Sequence, residues 1–417
     1  MKKVAVGLIG MLILGLWLPD AHADQFEIRP YLAVRGEYND NIFFDPDSND
    51  AEDDYILTIK PGIEITDRTE RLNARLRGQI APFFYKDNSD LDDVDQDYRG
   101  RISYRFTPRF NGDADAFFIV DHRPDRDLLT TGLVQNVNRR DRYHIGGGLE
   151  YNLSEVTAAD LSYDFNRDDW EREANLDDVN YNTVNLGLSH DLERWLRATT
   201  GQLTIEYGNI DRDSSETDSF AGLVAIRYSL SELFGLRLRG GARYVSSDFQ
   251  VTETEGRESN TGWGAIGAAI LEYNGERTRS DLLISHDLSP GTGRGTPTVL
   301  TRAVGSVNYR ILEDLRVGLN AGIYRNKADS GDFGTEEIDQ YSFQIRPDIR
   351  WEFYDNFTLT AAYIYNFLEN RVTNQNTTKN AIFLEVSYGL PLFDFFDLSG
   401  SELRQIVSGA VPVPESR

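Results

Sequence analysis

The 417-residue chain has no cysteine and carries 43 basic against 68 acidic residues, a formal charge of −25. That balance excludes a nucleic-acid-binding surface, and the missing cysteines exclude the small disulfide-stapled secreted folds. Abundant aromatic residues and 35 glycines, with only two methionines, suit strands better than helices.

The chain opens on "MKKVAVGLIGMLILGLWLPDAHAD", in which Lys2 and Lys3 precede an apolar run from Val4 to Leu18 and the small-residue site Ala21-His22-Ala23. This reads as a secretory signal over 1–23, with a mature chain from Asp24. The apolar run is shorter than the ~20 residues a spanning helix needs, and no later stretch approaches that length. A helical membrane protein is therefore excluded, and the mature chain would carry a charge of −26.

Period-two alternation then recurs to the far end, predicting about eighteen strands. Their expected spans are 26–38, 55–66, 70–86, 96–107, 110–121, 140–152, 156–166, 180–191, 196–210, 217–230, 234–248, 259–274, 276–287, 298–311, 314–326, 338–353, 356–369 and 378–393. Short connections such as "TDRTE" (66–70) and "TPRF" (107–110) alternate with longer polar ones at 39–54, 87–95, 122–139, 167–179, 211–216, 249–258, 288–297, 327–337 and 370–377. Tight turns on one rim and display loops on the other, with an even strand number, are the signature of an all-β, transmembrane, antiparallel up-and-down barrel. The expected organisation is a leader at 1–23, an outer-membrane barrel at 24–393 and a periplasmic tail at 394–417.

A soluble sandwich alternates in the same way, so parity alone leaves the two open. Aromatic residues favour lipid. Tyr104, Phe106, Phe110, Tyr228, Phe234, Trp351, Phe353 and Phe357 lie near short turns, while Tyr163, Phe165, Tyr181, Tyr207, Tyr244, Trp263, Tyr341 and Tyr365 lie toward the long loops. Small residues on the apolar parity, including Ala74, Gly78, Gly100, Gly240, Ala242, Ala303, Gly305, Ala321 and Ala361, also suit lipid, which fills in behind them where a protein core would want bulk.

The stretch "RLNARLRGQI" (71–80) sets Leu72, Leu76 and Ile80 against Arg71, Arg75 and Arg77. Other polar rows hold Arg99, Arg101 and Arg105; Arg237, Arg239 and Arg243; Arg302 and Arg310; and Arg346 and Arg350. Facing lipid, each arginine would cost about 2–4 kcal/mol near the bilayer midplane, so these thirteen are expected to line a wet interior. They form a rail for anionic solutes, or they pair with Glu64, Asp113, Asp115, Asp160, Glu206, Asp281, Asp348 and Glu385 and stiffen the wall.

The acidic runs "DPDSNDAEDD" (45–54), "DNSDLDDVDQD" (87–97) and "NRDDWEREANLDD" (166–178) read as hydrated loop surface, with divalent-cation binding as the alternative. "SHD" occurs at Ser189-His190-Asp191 and at Ser285-His286-Asp287, but on a strand serine and histidine point to opposite faces, which argues against a nucleophile and base. No enzyme, cofactor or metal centre is expected.

The segment "YLAVRGEYNDNIFFD" (31–45), through Tyr38, Asn39, Asp40, Asn41 and Ile42, resembles the opening strand and first turn of the beta-barrel porin 2 family of bacterial outer-membrane proteins. The resemblance implies a pore and, for a number of members, an association with exopolysaccharide export, hence polysaccharide and periplasmic export machinery as partners beside outer-membrane lipid. The residues themselves allow a general diffusion porin, or a structural or adhesive barrel with a closed lumen. On physical grounds "EYNDNIFFD" is a strand ending in an Asn/Asp-rich turn with aromatics at the membrane interface.

Overall fold

A computed structural model of the protein describes residues 25–46, 51–128, 130–133, 138–171, 176–252 and 256–389. The expected leader (1–23), the end of the expected barrel (390–393) and the expected tail (394–417) lie outside the described residues. Eighteen strands follow in chain order: β1 (Gln25–Asn39), β2 (Asp54–Arg68), β3 (Leu72–Tyr85), β4 (Asp93–Thr107), β5 (Phe110–Asp121), β6 (Arg140–Asn152), β7 (Thr157–Trp170), β8 (Val179–Asp191), β9 (Thr199–Arg212), β10 (Ser215–Ser229), β11 (Phe234–Thr252), β12 (Gly256–Asn274), β13 (Thr278–Ser289), β14 (Thr298–Arg310), β15 (Leu315–Ala328), β16 (Ile338–Tyr354), β17 (Phe357–Asn370) and β18 (Gln375–Tyr388). Each pairs antiparallel with the next, and β1 pairs with β18 from Leu32↔Tyr388 to Asn39↔Ala381, closing the ring.

Closure gives every strand a neighbour on both sides, the condition for a sheet to stand in lipid. Register decides which face meets it. On β1, Leu32 and Val34 are exposed while Tyr31, Ala33, Glu37 and Asn39 are buried, so the apolar row points outward and the polar row inward. Leu76, Ile205 and Leu384 repeat the pattern, at 44%, 65% and 58% exposure. A water-soluble barrel would hide these residues; this one is an outer-membrane barrel. All nine small residues expected toward lipid fall on the outer row. Leu72, at the foot of its row opposite Tyr104, is itself covered.

The near-turn aromatics make outward ring contacts, Phe106 stacked on Phe110, and Trp351 with Phe353 and Phe234 with Tyr273 tilted against each other. Tyr181 departs from the expected outer band. It pairs in register with Ile210 and Asn166, and that row faces the lumen. Two connections expected to be long are tight hairpins instead, β9–β10 through 213–214 and β17–β18 through 371–374, and β11 and β12, at 19 residues each, take up most of the expected loop at 249–258. Their polar sequences continue the ladder, because cross-strand hydrogen bonding needs no apolar side chains.

Candidate functional site

The β5–β6 connection, expected as a display loop, turns into the barrel and crosses it. Near its start Arg123 bonds Glu37 on β1, and Asp125 pairs with Lys379 on β18 at 3.1 Å. Asp127 receives both guanidinium arms of Arg140, at 2.6 and 3.2 Å, and its carbonyl accepts the N–H groups of Thr130, Thr131 and Gly132. That turn aims three carbonyls at the opposite wall. Arg302 of β14 donates to Thr130 at 2.5 Å, Asn326 of β15 to Thr131 at 2.7 Å, and the Ser342 hydroxyl of β16 to Gly132 at 2.7 Å. In a ring of eighteen, β5 and β6 lie opposite β14 and β15, so residues 122–128 and 130–133 form a strap across the lumen.

Two features make this geometry specific to its sequence. Gly132 has φ +71°, and a Cβ there would lie 2.3 Å from the Tyr324 Cβ and 2.5 Å from the Ser342 Oγ. Only glycine fits both the conformation and the approach. Arg126 and Arg140 lie over the Trp170 ring at 5.2 and 5.5 Å, which gives two neighbouring cations a shared electron-rich face. Burial pushes the Asp125 carboxyl up, but Lys379 and Arg123 outweigh it and hold its pKa at about 2. Burial opposes ionisation of Asp127 too, and Arg140 and Arg142 hold it well below the usual carboxylate range.

The β1–β2 connection wedges in beside the strap. Asn41 bonds the carbonyls of Asp45 and Thr378, and Asp40 accepts from the Asn380 main chain and side chain at 2.6 and 2.7 Å. Ile42 packs on Ile56, Phe83 and Tyr85, and Phe44 packs on Leu128 of the strap and on Leu368. The aromatics of "NIFFD" were expected at the membrane interface, yet Phe44 is buried inside the mouth. Its asparagines and aspartate clip the turn to β18, and that clip swings the apolar residues inward.

The twelve strand arginines all face the interior by register, and Arg71 lies in the turn before β3. Most are committed to neighbours. Arg75 pairs with Glu64, Arg99 with Asp97, Arg237 with Glu272, Arg239 and Arg243 with Glu206 and Asp287, and Arg350 with Asp348. Arg77 donates to the Tyr31 hydroxyl, and Arg346 lies over the Phe383 ring. Arg105 and Arg310 donate to the turn carbonyls of Glu70 and Glu276. Arg101 stands opposite Asp115. Of the acids expected to meet arginine, Glu385 takes Arg35 and Lys60, Asp115 holds His144, Asp160 meets Gln202, Asp281 accepts from Ser306, and Asp113 lies on the row facing Ser103. One basic row is continuous across three strands, Arg310–Arg316–Arg350, and Arg316 was missed from sequence.

The acidic runs are in part wall rather than loop surface. Asp95 and Asp93 hold His122 at the root of the strap, Asp168 takes Arg142, and Asp54 accepts the main-chain N–H groups of Lys86, Asp87 and Asn88, shaping the β3–β4 connection. In the two "SHD" triplets the serines and aspartates face inward and the histidines outward, with His190 on Thr157 and His286 on Thr301. Beneath the strap, a cavity of about 240 Å³ is lined by Arg35, Lys60, Gln79, Asp97 and Arg123, among others.

No family model matches the chain, and no curated protein matches it in sequence. Solved structures do align with it. OpdO of Pseudomonas aeruginosa is 11% identical over 88% of this chain and 98% of its own, with a TM-score of 0.45. OccAB4 of Acinetobacter baumannii is 9% identical over 88% and 99%, with a TM-score of 0.44. OccK2 (OpdF) of Pseudomonas aeruginosa, solved in complex with glucuronate, is 8% identical over 88% and 99%, also at 0.44. Similarity this slight says nothing about what passes through the barrel.

Proposed function

We propose that the protein is a diffusion channel for small hydrophilic solutes across the outer membrane, narrowed by the strap between β5 and β6. The observation that carries this reading is the strap itself, fixed at its root by buried ion pairs and at its tip to the opposite wall. An eighteen-stranded barrel is too wide to be filled by its own wall side chains, and an inward loop sets the passage to the scale of small molecules. Transit past many weak polar contacts, with both charge signs on the wall, lets a hydrated solute enter and leave. A continuous exopolysaccharide would have to displace the strap from six or more anchoring contacts, and nothing in the geometry favours that.

Planar-bilayer recordings and vesicle swelling test the reading. Steady unitary conductance and permeation of monosaccharides, with exclusion of long dextrans, are the expected results. Absence of conductance from correctly folded protein would point instead to a closed surface barrel.

A further inference from the structure

Beneath the strap, opposite charges line one cavity without meeting. Lys60 of β2 lies between Thr58 and Gly62, which pair with Phe83 and Gln79 of β3, so Lys60 stands beside Ala81. Ala81 pairs in turn with Asp95 of β4. The order along this inner row is a cation, a methyl group and a carboxylate, and all three residues line the cavity of about 240 Å³.

On neighbouring strands such groups meet, as Arg75 of β3 meets Glu64 of β2 at 2.6 Å. Lys60 and Asp95 are two strand spacings apart, about 10 Å between main chains, and each finds its partner on the far side. Lys60 bonds Glu385 of β18 at 2.8 Å, and Arg35 of β1 bonds the same carboxylate oxygen at 2.8 Å. Two cations therefore share one acid on that side of the cavity. Asp95 bonds His122 at 2.8 Å, and the other ring nitrogen of His122 lies 3.2 Å from Asp93, so two acids share one imidazole on the opposite side. The rest of the charged lining is matched among the described residues. Arg123 is bonded to Glu37, Asp97 to Arg99, and Asp121 to Arg126 and Arg140.

Both facing groups keep capacity for a further contact. An ammonium has three donors and Lys60 uses one on Glu385; a carboxylate has two acceptor oxygens and His122 takes one of Asp95. Their side chains stay partly open, at 13% and 27% exposure. A purely anionic solute would suit Lys60 but meet Asp95, and a purely cationic one would do the reverse. Only a solute with both charges satisfies the two sides together. The volume lies below the roughly 300–1,000 Å³ of drug-sized pockets, which sets the scale at a small molecule.

We propose that this cavity is a binding subsite for small zwitterions, holding the solute's carboxylate on Lys60 and its ammonium on Asp95, so that amino acids are favoured among the solutes of the channel. Its place in transport rests on the diffusion-channel reading, whereas the subsite can be tested without conductance. Saturation-transfer NMR on the full-length protein in nanodiscs compares alanine with propionate, which lacks the ammonium, and with ethylamine, which lacks the carboxylate. Alanine should bind about tenfold more tightly than either, the worth of one charge-assisted hydrogen bond. Lys60→Gln and Asp95→Asn should each remove that advantage. Propionate or ethylamine binding as well as alanine, or no saturable binding of alanine, overturns the subsite, and the wild-type comparison decides this alone should a variant fail to assemble. Alanine preference in a barrel that does not conduct would support the subsite and count against the channel; conductance without that preference overturns the subsite alone.

Discussion

Asp127 in the strap and Arg140 at the start of β6 are joined by two hydrogen bonds, at 2.6 and 3.2 Å, and both side chains are almost completely buried. Removing one partner of such a pair leaves a buried charge short of compensation, typically worth 3–5 kcal/mol. Arg140 keeps Asp121 at 2.8 Å, so Asp127→Asn should cost about 3 kcal/mol or less of strap anchoring. The expected outcome is a larger and noisier single-channel current from a barrel that still migrates as folded on gels. An unchanged current would mean that the strap does not set the passage.

At the other end of the strap, Gly132→Ala adds a methyl group where Tyr324 and Ser342 leave no room and where φ is positive. Strain and overpacking together should cost about 2–4 kcal/mol, enough to lift the tip from β15 and β16. Conductance should rise as in Asp127→Asn, and the double variant should add little, because both changes release the same element. Full additivity would separate tip from root.

Acid should open the passage late. The folded-state pKa of Asp125 is depressed to about 2 and that of Asp127 is depressed as well, whereas an unperturbed aspartate titrates near 3.9. The anchoring they provide is therefore fully present above about pH 4 and is lost as the pH falls through about 2. Conductance should be flat from pH 8 to 5 and rise only below about 4. Lys379→Gln removes the first of the cations holding Asp125 down and should move the onset to higher pH, which a pH–conductance series would reveal. A wild-type transition near neutrality would contradict the assignment.

Ion preference should respond to the basic row. Arg316 stands between Arg310 and Arg350. Arg316→Glu reverses the middle charge of this row and should shift the reversal potential in a salt gradient toward cations. An unchanged reversal potential would mean that permeating ions do not feel this row.

Strand positions were legible because membrane strands obey a strict two-residue period, and Arg75 and Arg77 could point only one way beside Leu76. The strap was not legible as such. Its lumen role depends on Thr130, Thr131 and Gly132 meeting Arg302, Asn326 and Ser342, and those carbonyl contacts leave no trace in side-chain patterning. One signal was available: "DLLTTGL" (127–133) is too apolar for a loop displayed to water, and Leu128 and Leu133 are indeed buried. Phe44 was misplaced for a related reason, since an aromatic just past a strand end suits a membrane interface and a lumen wedge equally well.

The strap's tip docks on residues 172 to 210 positions later in the chain. A loop written early therefore has no berth until β14 to β16 have joined the sheet. The waist forms only where both arcs of the wall are present, so a chain truncated before β14 would be left without one.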